Sequence, residues 1–346
     1  MSQNCCCSDG CCCSGDVEQT NVVSTSLLPK DYLGAFKARC GIGRMDYKVD
    51  PGLYEVGKPD GESPVLVSAN YKLTFDVLRK NLAGIDCWLL ILDTKGVNVW
   101  CAAGKGTFGT DELVTRVNTT GLAEIVTHKQ LILPQLCASG VDANEVTRLT
   151  GFSVIYGPVR ASDVKAFIEA GCQATKEMRE VNFTLRDRLI LTPMELVPAV
   201  KVSWLIMGGL FITNLFSKRP FNGKDAAILG GAVLTGTVLT PVLLPWIPGK
   251  AFSWKGGILG LGWTAGALTF FRRWGRGNRL KSAGELLLAP AISSFAALNF
   301  TGSSTYTSPS GVKKEMEKAL PFIVGAVVVG GALTLGVHLF GGRGSK

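Results

Sequence analysis

Two regimes of hydrophobic patterning divide the chain. Up to about residue 175, short apolar runs of strand length alternate with amphipathic stretches. Val65–Ala69 and Asp86–Asp93 read as buried strands, and Phe152–Tyr156 and Leu131–Leu133 as further strands. Ile125–Val126 is a shorter strand candidate. Between them, Lys72–Leu82 has helical spacing, with Leu73, Val77, Leu78 and Leu82 on one face. Further helices are expected from Thr110, which can cap one running to about Val117, and over Asp142–Leu149 and Ser162–Ala170. Strands alternating with helices predict an α/β layer with a mainly parallel sheet, whose ligands sit beyond the strand C-termini. Residues 31–62 are punctuated by Gly and Pro, with a loop expected over Arg39–Asp46.

From residue 196 the pattern changes. Five apolar segments, 196–216, 226–247, 251–271, 283–300 and 319–340, are each about long enough to cross a bilayer. Trp204, Trp246, Trp254 and Trp274 fall near segment ends, as interfacial aromatics do. Five spans would put a basic loop, Arg272, Arg273, Arg276, Arg279 and Lys281, on the outside. If the first segment, which carries Lys201, only lies on the membrane, four spans remain and the loop is inside. Pro241, Pro245 and Pro248 point to irregularity in the second segment, and the glycines of 319–340 fit close helix packing. Glu285 and His338 are isolated near segment ends and read as interfacial. The expected organisation is a Cys-rich structureless tail (1–30), an α/β domain (31–175), a polar connector (176–195) and a transmembrane helical domain (196–346).

Charge and cysteine content refine this. The net charge of +9 sits largely in short loops between apolar segments, an orientation signal rather than a nucleic-acid footprint. Six of eleven cysteines form two triplets, Cys5-Cys6-Cys7 and Cys11-Cys12-Cys13. The N-terminus has neither a basic n-region nor an apolar h-region, so the α/β part is expected to face the cytoplasm, with reduced thiols, from the inner membrane. The triplets read either as a flexible tail or as a trap for a soft metal such as Hg(II), since clustered thiolates select soft ions. They lack iron–sulfur spacing. Cys40, Cys87, Cys137 and Cys172 read as buried or bystander thiols.

Several chemistries drop out. Only His128 and His338 are present, which excludes an HExxH zinc site and argues against a Ser-His-Asp triad. Gly104-Lys105 fails as a P-loop, because Val99 stands five before Gly104 and Gly106 follows the lysine. Gly104, Gly106 and Gly109 match GxGxxG, but not directly after a strand. What remains is the stretch following the Asp86–Asp93 strand. Asn98 can cap a short turn over Val99–Ala103, with Gly104 as its stop. Ala102, Ala103 and Gly104 are small enough for something broad and flat to approach the backbone, with the Cys101 thiol pointing at it.

Asn98-Val99-Trp100-Cys101-Ala102-Ala103-Gly104-Lys105 closely resembles the signature of the mercury-methylating corrinoid protein family, N-V/I-W-C-A-A/G-G-K. The likeness extends over Asn70–Asp76, Leu92–Gly96, Gly106–Thr110 and Thr127–Leu136, about residues 60–170 in all. That family is related to the corrinoid iron–sulfur protein of acetyl-CoA metabolism. The resemblance implies a Rossmann-like corrinoid-binding domain fused to about five transmembrane helices. It implies a cobalt corrinoid (cobalamin-type) with Cys101 as its lower axial ligand, and cofactor contacts from Asn98–Lys105, Ser68 and Thr74. Ser68 stands where relatives often have Thr. Trp100 either packs on the ring or anchors the turn in the core, and Lys105 either touches the cofactor or is a solvated charge. The implied reaction is methyl transfer to Hg(II). Implied partners are a folate-type methyl donor system and a ferredoxin-like electron donor with two [4Fe–4S] clusters, since no cluster motif stands in this chain. Two rivals are a corrinoid methyl carrier in ordinary C1 metabolism and a non-enzymatic membrane thiol protein that binds or traffics metal.

Overall fold

The computed structural model describes residues 21–217, 220–275 and 279–340. The cysteine triplets and Arg276 lie outside them. The chain forms two compact units, one of residues up to Ala38 with Gly43–Glu180, the other of Arg39–Ile42 with Val181 onward.

The first unit is a mixed α/β sheet domain. In chain order it comprises β1 (Asn21–Val23), α1 (Pro29–Arg39), β2 (Gly52–Val56), β3 (Val65–Ala69), α2 (Lys72–Asn81), β4 (Cys87–Leu92), α3 (Val99–Lys105), α4 (Thr110–Thr119), α5 (Leu122–Ile125), β5 (Gln130–Leu133), α6 (Ala143–Thr150), β6 (Ser153–Tyr156) and α7 (Val164–Glu169). The six-stranded sheet has the order β1-β2-β4-β3-β5-β6. β3, β4, β5 and β6 are mutually parallel, as the apolar runs predict. β2 is antiparallel to β4 and brings β1 with it as a parallel edge.

Both faces of the central strands are apolar because both are covered. Trp88, Leu90 and Leu92 of β4 join a core with Val99, Ala102, Phe108, Leu113 and Val146, on the face carrying α3, α4 and α6. Cys87, Leu89 and Ile91 join Phe75, Leu78, Leu82 and Phe167, on the face carrying α2 and α7. The connection out of β3 therefore covers one face and the connection out of β4 the other. Above their C-terminal ends a cleft opens, as at the switch point of open α/β sheets.

Four local expectations change. Residues 21–39, expected mostly as tail, form β1 and α1, and β2 forms at Gly52–Val56, where the pattern predicts no strand. A buried ion network holds α1: Asp31 meets Lys72 at 3.0 Å and Arg79 at 2.8 Å, while Asp76 meets the same two cations at 2.7 and 2.8 Å. Ile125 ends helix α5 rather than forming a strand. Gly109, not Thr110, is the N-cap of α4, and the Thr110 hydroxyl instead accepts from Asp142 N at 2.9 Å.

The second unit is helical: α8 (Leu185–Thr213), α9 (Gly223–Leu234), α10 (Thr240–Leu243), α11 (Phe252–Phe270), α12 (Arg279–Asn299) and α13 (Pro309–Phe340). Thr235–Leu239 is a π-turn that joins α9 to α10, just before Pro241. Four segments among the described residues are long and apolar enough to cross a membrane: Leu185–Phe216, Gly223–Leu243, Arg279–Ser303 and Ser310–Phe340. Of the five expected, it is 251–271 that falls short, not the first. Its helix α11 has the length, 19 residues, but carries Lys255 in its first turn and is diluted by glycine. Glu285 and His338, expected to be isolated, are both buried and partnered. Glu285 is 1% exposed and accepts from Arg273 at 2.8 Å. Arg273 also pairs with Asp225, which Lys281 reaches at 2.7 Å. His338 is buried against the Thr213 hydroxyl at 2.9 Å.

Candidate functional site

The site is built on the segment between β4 and α3. Asp93 ends the strand run and Lys95 and Gly96 both adopt left-handed backbone, at φ 58° and 71°. A Cβ on Gly96 would stand 3.0 Å from Met45 O, so both the angle and the space favour glycine. Asn70, 1% exposed at the end of β3, organises this turn. Its Oδ1 accepts from Thr94 N at 3.2 Å and Gly96 N at 3.0 Å, and its Nδ2 donates to Asp93 Oδ1 at 3.1 Å. Burial disfavours the Asp93 carboxylate, but the Lys95 side chain, the Lys95 N–H and Asn70 outweigh it and hold its pKa below the usual value. Glu112, paired with Arg116, accepts from Asp93 N at 2.8 Å and ties α4 to the same turn.

Asn98 then caps α3, its Oδ1 accepting from Cys101 N at 3.1 Å. The helix runs two residues further than the expected stop. Gly104 is helical, and Gly106, at φ 78°, is the left-handed C-cap. The two alanines are buried. Ala102 and Ala103 are 0% and 5% exposed, packed into the core on the α3 face. A Cβ on Gly140 would meet Phe108 O at 2.5 Å and Ala103 Cα at 3.0 Å, so the loop after β5 presses on the helix. Smallness here serves the protein's own packing. Val99 is buried with them.

The outward face of α3 carries Trp100, Cys101, Gly104 and Lys105. Cys101 is an exposed free thiol, whereas Cys87 and Cys137 are fully buried, and burial pushes both of their thiols up to about 12. Nothing lies within 4 Å of a Cβ built on Gly104. Trp100 does not anchor the core. It is 42% exposed and lines a cavity of about 310 Å³ at the C-terminal ends of β3, β5 and β6. Ser68, Thr74 and Asn98 also line it, so the cavity brings these separated residues together with Trp100. Lys105 is exposed and outside the lining.

The cavity meets the apolar face of α2. Leu73 and Val77 share the apolar stripe but are not packed in the core; Val77 is 43% exposed, and both face the cavity. The buried stripe is instead Phe75, Leu78 and Leu82. His128 is a structural histidine, its Nε2 2.8 Å from Ser63 O. Among the described residues no group of three or more His, Cys, Asp or Glu is placed to hold a metal ion. Asn70 is the residue that reading for chemistry passes over. Its signal is a lone amide at a strand end, with the turn at the end of the neighbouring strand.

Comparison with known proteins bears on this region. The CO dehydrogenase/acetyl-CoA synthase delta subunit family matches residues 43–168. The gamma subunit of the acetyl-CoA decarbonylase/synthase complex of Methanopyrus kandleri is 35% identical over 128 residues, 36% of this chain and 27% of that protein. The same subunit of Methanocaldococcus jannaschii is 33% identical over 144 residues, 41% of this chain and 29% of its own length. The gamma 2 subunit of Methanosarcina thermophila is 34% identical over 130 residues, with coverages of 36% and 27%. The chain thus spans a little over a quarter of the length of these curated relatives, and the similarity lies in the α/β unit that carries the cleft.

Proposed function

We propose that this protein is a corrinoid-dependent methyl carrier, held at the cytoplasmic membrane by its helical unit, whose terminal methyl acceptor is Hg(II). The single observation that carries the reading is the outward face of α3: an exposed thiol and an open glycine beside an apolar cleft. The similarity to acetyl-CoA decarbonylase/synthase subunits over 43–168 supports the methyl-carrier class. The eight-residue signature Asn98–Lys105 supports mercury as acceptor.

The residues present fit a cobalt corrinoid. A wide planar ring needs a surface without projecting side chains, which Gly104 offers, and a soft axial donor, which Cys101 offers. When bound, the corrinoid supplies a cobalt ion that carries the methyl group. Cys101 would hold the cobalt through its thiolate, a strong electron donor and good soft-metal ligand. A thiolate donor would suit methyl transfer to an electrophile such as Hg(II). Asn98 fixes the direction of the thiol by capping its helix. Trp100 and the apolar wall of α2 would exclude water from one edge of the cofactor, with Ser68 and Thr74 offering hydroxyls to its polar periphery. Lys105 would meet a polar side chain or the tail phosphate. Electrons for the low-potential cobalt state would come from a ferredoxin-like protein with two [4Fe–4S] clusters, and the methyl group from a folate-type donor system.

A second reading has the matched relatives behind it: methyl carriage within C1 metabolism, with a different acceptor. One experiment addresses both. The full chain is loaded with corrinoid, and its absorption spectrum is compared with that of Cys101→Ala. A thiolate-to-cobalt band lost on substitution supports the ligand assignment, and identical spectra refute it. Methyl-loaded protein is then given Hg(II). Methylmercury formed in step with methyl loss supports the mercury reading, and retention of the methyl leaves the C1 carrier.

A further inference from the structure

One apolar surface of the α/β unit is left uncovered. Tyr32, Leu33 and Phe36 lie at helical spacing on one side of α1, and Leu28 stands just before it; all four are more than half exposed. The opposite side of the helix is tied down. Asp31 and Ala38 are buried there, and Asp31 is held by Lys72 and Arg79 of α2. Tyr47 adds a second hold, its hydroxyl donating to Asp31 O at 3.3 Å and its ring filling the space beside Gly34. The helix therefore cannot roll its apolar side into the core without breaking a buried ion network. Contiguous exposed apolar patches of this kind mark surfaces that meet a partner or a membrane.

The charges around the patch select what covers it. Lys30 and Lys37, seven residues apart, run along one edge of the apolar side, and Lys80 of α2 borders Tyr32, its Nζ 5.6 Å from the ring centre. All three lysines are exposed. Asp31 is the only acid from Leu28 to Arg39, and it is buried. The outer side of α1 is thus apolar in its middle, cationic at its margins and without a carboxylate. Lysines lay their stems along an apolar surface while their ammonium groups stay in water, and tyrosine sets a ring in an apolar layer with its hydroxyl in a polar one. These are the features of a helix that lies in the headgroup layer of an anionic membrane. We propose that α1 seats the α/β unit on anionic lipid headgroups. The proposal rests on the reading that the helical unit spans the membrane, which tethers the α/β unit at a bilayer. Because α2 holds α1 and also carries Leu73, Thr74 and Val77 into the cleft, seating α1 fixes the orientation of the cleft to the bilayer.

The test places single full-length chains in nanodiscs of phosphatidylcholine, or of phosphatidylcholine with an equal part of phosphatidylglycerol. Side-chain oxidation by hydroxyl radicals is then read by mass spectrometry. Leu149, exposed on α6 across the sheet, is the internal reference. Relative to it, Tyr32, Leu33 and Phe36 are expected to oxidise at least threefold more slowly in the anionic discs than in the neutral ones. In Lys30→Glu/Lys37→Glu the two lipids should give the same rates. Equal rates in both lipids for the unsubstituted chain, or protection that the double substitution leaves intact, overturns the proposal. Protection that appears only with two chains per disc assigns the surface to a second copy and overturns it too. Carbonate extraction of membranes carrying the chain tests the spanning reading by itself. Release removes that reading and the proposal with it, whereas retention without protection of α1 removes the seating alone.

Discussion

Asn70 Oδ1 accepts the backbone N–H of Gly96 at 3.0 Å, across two neighbouring strands, and so fixes the turn from which the cysteine helix starts. Replacing Asn70 by Ala leaves the buried N–H of Gly96 without its acceptor, while the Thr94 N–H keeps Leu92 O at 3.0 Å. An orphaned buried group costs about 1–3 kcal/mol, and the Asn70→Ala chain should lose ~1–3 kcal/mol of stability in the α/β unit by denaturant unfolding. Its corrinoid affinity should fall as well, because α3 loses its anchor. Unchanged affinity would remove Asn70 from the positioning of Cys101.

Gly104 separates stability from binding. The residue is helical and open to solvent, so Gly104→Ala adds a methyl group without a clash. Relative to glycine, alanine in a helix stabilises by about 0.5–1 kcal/mol. Thermal unfolding should rise slightly, while corrinoid titration of the same variant should show weaker binding, since the methyl stands on the face offered to the ring. Tighter binding would mean that the ring lies elsewhere.

Asn98 acts through its cap. Asn98→Ala should cost about 1 kcal/mol and loosen the first turn of α3, whereas Asn98→Asp keeps an acceptor for Cys101 N. The alkylation rate of Cys101 reads the difference. Alanine should change it and aspartate restore it. If both variants react alike, the cap does not hold the thiol.

Acid should release α1 before the sheet. Burial works against the Asp31 carboxylate, but the Leu28 N–H, Lys72 and Arg79 hold its pKa down at about 2, from an ordinary 3.8. A depressed folded-state pKa gives stability that is present above the unfolded value and lost as pH falls through the folded one. Pepsin cleavage within 24–39 should therefore rise between pH 4 and pH 2. In Asp31→Asn it should already be high at pH 4 and change little. A flat profile in the wild type would contradict the role of this network.

The buried charges of the helical unit can be tested in the same way. Arg273 serves both Asp225 and Glu285. Removing one partner of a buried ion pair typically costs 3–5 kcal/mol, roughly, because a charge is left uncompensated. Arg273→Ala should lower the unfolding temperature of the full chain in detergent well beyond the effect of Arg272→Ala. Equal effects of the two substitutions would show that the network contributes nothing.

The sequence by itself determined the local periods. β3, β4, β5 and β6 are legible as apolar runs because parallel strands buried on both faces need apolar residues at every position. The membrane-scale helices are legible because length and apolarity are local properties. The Asn98–Lys105 signature stands out for the same reason: a cap and a cysteine lie within one short stretch, though the glycine that stops the helix is Gly106 rather than Gly104. Only the tertiary structure decided which side of each residue meets what. Ala102 and Ala103 look available to a ligand until the Gly140 loop is seen packed on Ala103. Leu73 and Val77 share a helical stripe with core residues but open into the cleft. Glu285 looks solitary until Arg273, Lys281 and Asp225, brought together from three segments, surround it. β1 and β2 are short and poor in strand signal; β2 exists through pairing with β4, far along the chain, and β1 through pairing with β2. Pairings of that kind depend on contacts between distant segments, which no local pattern records.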